Sequence, residues 1–243
     1  MRTWVWAGLF ALLAFIVQCP ATWLSLALSQ LSDGALSLTN ESGTLWHGSA
    51  ELNWRSGTTF TAWPGRVEWR LQPGWRGLEI ALHEAEPEAQ VDVMAHWHWG
   101  TWAWLPGQAA FPADILEGLG SPFTTLHPAG RLEVHWGAGR WGGASGLPWA
   151  LQGDWLGAAT RLAPVAPLGD YRLQLTGVGK VGTLQVTTRR GVLQVEGTGS
   201  WQGGQFRFAG QARARADTRA VLAGFLSVLG QPDGDGVRLE WRR

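Results

Sequence analysis

Cysteine is nearly absent. The 243-residue chain has one, Cys19, which excludes an intrachain disulfide and any cysteine-built zinc site. Net charge is absent as well, because 19 Lys and Arg balance 19 Asp and Glu. Such a chain has no basic footprint for nucleic acid. Lysine is reduced to Lys180 and tyrosine to Tyr171, and no charge of either sign lies between Arg2 and Asp33. What is plentiful is glycine, at 34 residues, and tryptophan, at 18. Glycine is about twice its usual ~7% share. Gly, Arg and Trp codons are all G-rich, so nucleotide composition is one account of the excess. A hydrophobic content of 45% excludes wholesale disorder.

The uncharged start predicts a membrane anchor. Trp4 to Val17 is almost unbroken apolar sequence, and continuing to Trp23 gives the roughly 20 residues that cross a hydrocarbon core. Trp4, Trp6 and Trp23 stand where interfacial aromatics anchor both ends. With Arg2 and the amino terminus cytoplasmic, residues 1–3 are a tail, 4–23 the span and 24–243 a domain on the far side. The rival reading, a cleaved signal peptide, needs small residues at the cleavage site. Val17-Gln18-Cys19 and Cys19-Pro20-Ala21 fit that poorly, and Gln18 argues against lipidation of Cys19. Asn40-Glu41-Ser42 spells a glycosylation sequon, a pattern short enough to arise by chance.

Beyond Asp33 the hydrophobic period is two, which predicts an all-β, mainly antiparallel domain. Ala50, Leu52 and Trp54 share a face, as do Val67, Trp69 and Leu71. Val91, Val93, Ala95, Trp97 and Trp99 oppose Asp92, His96 and His98. Glycines punctuate the gaps. Two helices interrupt the strands. Asp217 to Gly230 places Leu222, Phe225, Leu226 and Leu229 on one face, with Asp217 as N-cap. Pro112 to Gly120 is a shorter copy. Leu119-Gly120-Ser121-Pro122 and Leu229-Gly230-Gln231-Pro232 each precede a Gly-led strand ending in Trp136 or Trp241. This order divides the domain into two similar β-rich halves, 34–137 and 138–243, sharing one sheet. Chance likeness of Gly-rich strands is the alternative.

Candidate chemistry is sparse. Gly177-Val178-Gly179-Lys180-Val181-Gly182 spells a dinucleotide fingerprint, yet Thr183 to Thr187 alternates like a strand where a helix is required. A hairpin turn is the better reading. His96 and His98 share a strand face and could begin a metal site, with His135 or Asp92 as a third ligand; a polar strand face opposite Trp97 and Trp99 is the better reading. Glu84 with Glu86, or Asp233 with Asp235, could mimic a glycosidase pair, but their loops suggest solvated turns. No nucleophile elbow has the right spacing, so no catalytic, metal or cofactor residue is nominated. The tryptophans align with aliphatic residues, which points to packing. Arg189-Arg190 at an expected hairpin tip, and Arg213 with Arg215, offer charged rims for a partner.

Several motifs recur together in one known family. Gly43-Thr44-Leu45-Trp46-His47-Gly48-Ser49-Ala50 follows an uncharged start with Pro20 and Ala21. Pro128-Ala129-Gly130-Arg131-Leu132, Pro164-Val165-Ala166-Pro167-Leu168-Gly169-Asp170-Tyr171, Gly191-Val192-Leu193 and Gly197-Thr198-Gly199-Ser200-Trp201 come next, and the last helix completes the order. The chain resembles protein N of bacterial type II secretion systems. That resemblance implies a single-pass inner-membrane protein with a periplasmic β-rich domain. It would be an accessory component of protein transport that contacts other inner-membrane secretion proteins. The resemblance brings no catalytic residue, so the motif positions Gly43, Thr44, Leu45, Trp46, Gly48, Pro164, Pro167, Leu168, Gly169 and Tyr171 are expected to be structural, with Trp46 and Tyr171 as core or corner aromatics. The short tail before the span departs from a chain with cytoplasmic partner surface. Two other functions compete: a periplasmic β-groove for lipid or another apolar ligand, and, with no support from the residues, a periplasmic glycan hydrolase.

Overall fold

The computed structural model describes residues 6, 15–56, 59–75, 77–84, 90–119, 123–141, 148–179 and 181–242. Most of the expected span 4–23, and the tail 1–3, lie outside these. Among the described residues Phe15 to Val17 are helical, the chain breaks at Gln18–Pro20, and a helix α1 (Thr22–Leu31) begins. No helix among the described residues is long and apolar enough to cross a membrane.

The remainder is one antiparallel sheet of 17 strands. β1 (Leu36–Gly43) pairs with β2 (His47–Ser56). The next line along β2 is broken into β3 (Thr59–Ala62) and β4 (Val67–Gly74). β5 (Gly77–Glu84) and β6 (Gln90–His98) follow. A second broken line, β7 (Thr101–Trp104) and β8 (Gly107–Pro112), runs along β6. Beside it lie β9 (Pro128–Trp136) on β8 and β10 (Gly139–Trp141) on β7. β11 (Pro148–Thr160), β12 (Gly169–Val178), β13 (Val181–Gly191), β14 (Leu193–Gln202) and β15 (Gln205–Ala214) continue the meander. β17 (Gly236–Arg242) closes the order on β15, with the short β16 (Gln231–Asp233) against its start. Since β9 pairs with β11, the sheet runs unbroken through the join between residues 137 and 138.

Directly opposed residues on paired strands share a face, and the registers thread two rows across the sheet. One reads Val91, Ala109, Val134, Gly153, Leu173, Val186, Gly197, Gly210, Leu239; its neighbour on the other face reads Asp92, Gln108, His135, Gln152, Gln174, Gln185, Thr198, Ala209, Glu240. The sheet is therefore apolar on one side and polar on the other. The surplus of glycine and tryptophan has a shared physical use. Trp69, Trp136, Trp104, Trp149 and Trp201 each stand directly opposite a glycine: Gly48, Gly107, Gly139, Gly177 and Gly182. A Cβ at any of these glycines would come within 3.0 Å of the opposing indole, so the ring lies over bare backbone and supplies the apolar cover that glycine lacks. Trp149 and Trp201 meet above the Gly177–Gly182 pair, stacked 5.3 Å apart at 17°. Trp99 departs from the expected strand face. It sits at φ +44° in the turn after β6, next to Gly100, and is 88% exposed.

Helical segments gather at one end of the sheet. A 3-10 helix (Ala113–Leu119) and α2 (Phe123–Leu126) occupy the β8–β9 connection where the short helix was expected, and α3 (Arg219–Leu229) the β15–β16 connection. Leu222, Phe225 and Leu226 of α3 are buried against Leu193, Phe208, Ala212, Val237 and Leu239, with Leu126 and Val165 alongside. Each such side chain contributes about 1.5–3 kcal/mol of apolar burial. The helix starts one residue later than expected. Thr218, whose hydroxyl donates to the Arg215 carbonyl at 3.2 Å and makes no capping bond, is its N-cap, because the Asp217 carboxylate accepts from the Arg215 guanidinium at 2.7–3.1 Å. The opposite end of the sheet carries the tight hairpins after β1, β4, β6, β12 and β14, and there the start of α1, with Ala21 and Leu24, packs on Ala50 and Trp69 over β2 and β4.

Candidate functional site

The two longest motifs fold into two clamps at opposite ends of the sheet. The first is the β1–β2 hairpin. Gly43 opposes Gly48 and has φ +89°, where a Cβ would lie 2.5 Å from the His47 carbonyl. Only glycine fits a turn so built. The Thr44 amide donates to the His47 carbonyl at 2.9 Å. The hairpin then grips the segment before α1. The Leu45 amide donates to the Cys19 carbonyl at 2.7 Å, the Ala21 amide to the Gly43 carbonyl at 3.3 Å, and Trp46 Nε1 to the Ile16 carbonyl at 2.7 Å. From the other side, Trp69 Nε1 donates to the Leu45 carbonyl at 3.0 Å. Ala21, Ala50 and Trp69 form a small buried cluster beneath. Trp46 is thus a half-exposed staple and not a core residue.

The second clamp spans the β11–β12 connection. Pro164 and Pro167, the latter after a cis peptide, lead into buried Leu168. The Leu168 amide donates to the Ala158 carbonyl at 2.7 Å, and its own carbonyl accepts from Val192 at 2.9 Å and Leu193 at 3.1 Å. Gly169 faces Gly191 so closely that a Cβ on Gly169 would sit 2.5 Å from the Arg190 carbonyl, and one on Gly191 would strike Leu168. Buried Tyr171 donates its hydroxyl to the Leu193 carbonyl at 2.9 Å. Burial, aided by the neighbouring Asp170 charge, pushes the phenol pKa well above its ordinary value.

Two buried carboxylates organise this corner. The Gly157 amide donates to Asp170 Oδ1 at 2.7 Å, and Arg190 Nε donates to Oδ2. Asp154 accepts from Arg172 at 2.9 and 3.2 Å and lies 3.5 Å from Arg189. Both carboxyls are held below the ordinary range. For Asp170 the Gly157 amide is the largest cause, ahead of Arg190; for Asp154 it is the Arg172 hydrogen bond. Burial opposes the shift in each case. Sequence reasoning missed both acids. The available signal was an isolated carboxylate inside an apolar strand run, Leu151 to Leu156. Arg189 and Arg190 lie at the end of β13, where the chain turns into β14, and are paired with these acids. Arg215 is likewise paired, to Asp217.

The remaining candidates stay dispersed. His96 lies 4.0 Å from Glu79, and no group of three His, Cys, Asp or Glu among the described residues could hold a metal. Glu84 is buried at the end of β5, not in a solvated turn, and accepts from Trp63 Nε1; Glu86 lies outside the described residues. Asp233 pairs with Arg238 and Asp235 with Arg219. The G-x-G-x-x-G run is the β12–β13 hairpin, with Gly177 opposite Gly182. Two grooves mark the sheet. One, of about 1000 Å³, touches His135, Gln152, Gln174, Gln185, Thr198 and Glu240. The other, of about 1120 Å³, lies on the apolar face between Trp102, Trp104, Trp136, Trp149 and Leu151 and reaches the end of the β12–β13 hairpin at Val178 and Val181.

Residues 34–240 match the family model described as type II secretion system (T2SS), protein N. No curated protein and no solved structure matches the chain.

Proposed function

As the chain belongs to the type II secretion system protein N family, we propose that it is an accessory inner-membrane component of that machinery. Its N-terminal apolar segment holds it in the membrane, its sheet domain lies in the periplasm, and it works by protein–protein docking, not by catalysis. The observation that supports docking best is an edge. β17 pairs with β15 along its length, but β16 covers only Gly236 to Arg238, so Leu239 to Arg242 have no outer strand among the described residues. An uncovered edge offers backbone donors and acceptors to an extended segment of another protein. The first clamp supports the anchored arrangement, because it ties the segment at Ile16–Ala21 to the sheet and would carry the membrane position into the domain.

Photo-cross-linking residues placed at Leu239 to Arg242 should trap other inner-membrane secretion components in cells, while alanine at both His96 and His98 leaves secretion intact. A domain that yields no cross-linked partner at any edge position during active secretion contradicts docking through this edge. Loss of secretion in a folded, abundant His96/His98 variant would replace it with a metal or catalytic role.

A further inference from the structure

The groove of about 1120 Å³ on the apolar face exceeds the roughly 300–1,000 Å³ usual for small-ligand pockets. No charged side chain among the described residues lines it. Trp149 Nε1 donates to the Gly179 carbonyl at 3.2 Å, and Thr176 and Thr183, whose hydroxyls bond to each other at 3.0 Å, point to the polar face with Gln174 and Gln185. The walls are mostly sheet faces. Residues 148–155 of β11 are paired with β12, and β12 with β13 to the end of the hairpin; on its other side β11 is bonded to β9 only from Leu151 onward while β10 bonds to β7, so a short gap between Gly137–Gly139 and Pro148–Ala150 has no ladder across it among the described residues. A peptide entering this groove would find backbone partners only along that short gap and would bury its other amides and carbonyls without partners, at a cost of about 1–3 kcal/mol each. An acyl chain carries no such groups.

Position adds a second argument. Strand direction alternates, so the hairpins after β1, β4, β6, β12 and β14 share one end, and the groove opens there beside Val178 and Val181. That end also bears Trp75, 90% exposed, and Trp99, together with Val178 and Val181 at about half exposure. The exposed apolar residues Phe15, Ile16 and Val17 leave the domain at the same end, through the Trp46 staple. Indoles and aliphatic side chains projecting from one end, next to an apolar segment, suit the headgroup boundary of a bilayer.

We propose that the open end of the apolar face rests on the membrane and that its groove takes an acyl chain of a membrane phospholipid. This is separate from docking through β17 and stands or falls independently of it. The test uses the full-length protein in vesicles of phosphatidylethanolamine and phosphatidylglycerol, with a trace of phospholipid bearing a diazirine at the end of one acyl chain. After illumination, peptide mass spectrometry should find label on Trp102, Trp104, Trp136, Trp149 and Leu151. Val93→Phe and Ala95→Phe, both of which narrow the groove, should each lower that label severalfold while label on the N-terminal segment stays constant. Label confined to the N-terminal segment and to Trp75 and Trp99 in the unsubstituted protein overturns the proposal, whatever the variants do. So does groove label that neither variant changes when both melt as the parent does.

Discussion

The two ends of this sheet treat the same apolar face differently. At one end α3, α2 and the 3-10 helix close it, and ten buried residues gather there. At the other, the start of α1 covers Ala50 and Trp69; beyond it tryptophans lie over glycines, the groove opens, and Trp75 and Trp99 project outward. A two-sided antiparallel sheet must cover its apolar face or use it. The helices do the covering, so stability resides at their end, while the open end is left for an interaction.

The largest test of that division sets Leu226→Asp against Val181→Asp. An unpaired carboxylate placed among Leu222, Phe208 and Leu239 should cost several kcal/mol, enough to unfold or degrade the protein. At exposed Val181 the same change should stay within about 0.5 kcal/mol in denaturant melts. Equal losses would erase the distinction. Next in size is glycine. Gly191→Ala drives a Cβ into Leu168 from φ +150° and should cost about 1–3 kcal/mol, whereas Gly137→Ala, with nothing within 4 Å of its Cβ, should be nearly silent. Smaller again, Tyr171→Phe removes the bond to the Leu193 carbonyl, for about 1 kcal/mol; Thr183→Val at the open end should change stability less.

Acid gives the gentlest contrast. Asp154 and Asp170 have lowered pKa values when folded, so their contribution is complete above the unfolded value of about 3.9 and is lost as pH falls through the lower folded values. Amide exchange below pH 4 should therefore rise first at the Leu168–Tyr171 corner. Asp154→Asn with Asp170→Asn should lower stability at neutral pH and flatten its acid dependence. A variant as acid-sensitive as the parent would show that other groups set the limit.

Much of this architecture was legible because the signals are local. Period-two alternation located β2, β4 and β6, and the spacing of Leu222, Phe225 and Leu226 marked α3. The motifs carried the family over nearly the whole chain. What failed depended on register, which is a tertiary property. Arg190 reads as a free turn residue until β12 places Asp170 opposite it, and Arg189 until Asp154 comes into reach. The pairing of Trp149 with Gly177 is invisible before β11 and β12 are aligned. Trp99 continued the alternation of β6 in sequence, but Trp99-Gly100 turns the chain. Trp46 carries a packing-type side chain, and only its distance to Ile16 shows it as a staple.

The central claim is that one apolar face is closed by helices at one end and meets a lipid surface at the other. Hydrogen exchange of the full-length protein, measured in detergent and then on phospholipid vesicles, tests it most directly. Amides in the turns around Trp75, Trp99 and residues 178–181 should slow on vesicles, while those of Arg219–Leu229 should not change. Slowing at α3, or no difference at the hairpins, would contradict it.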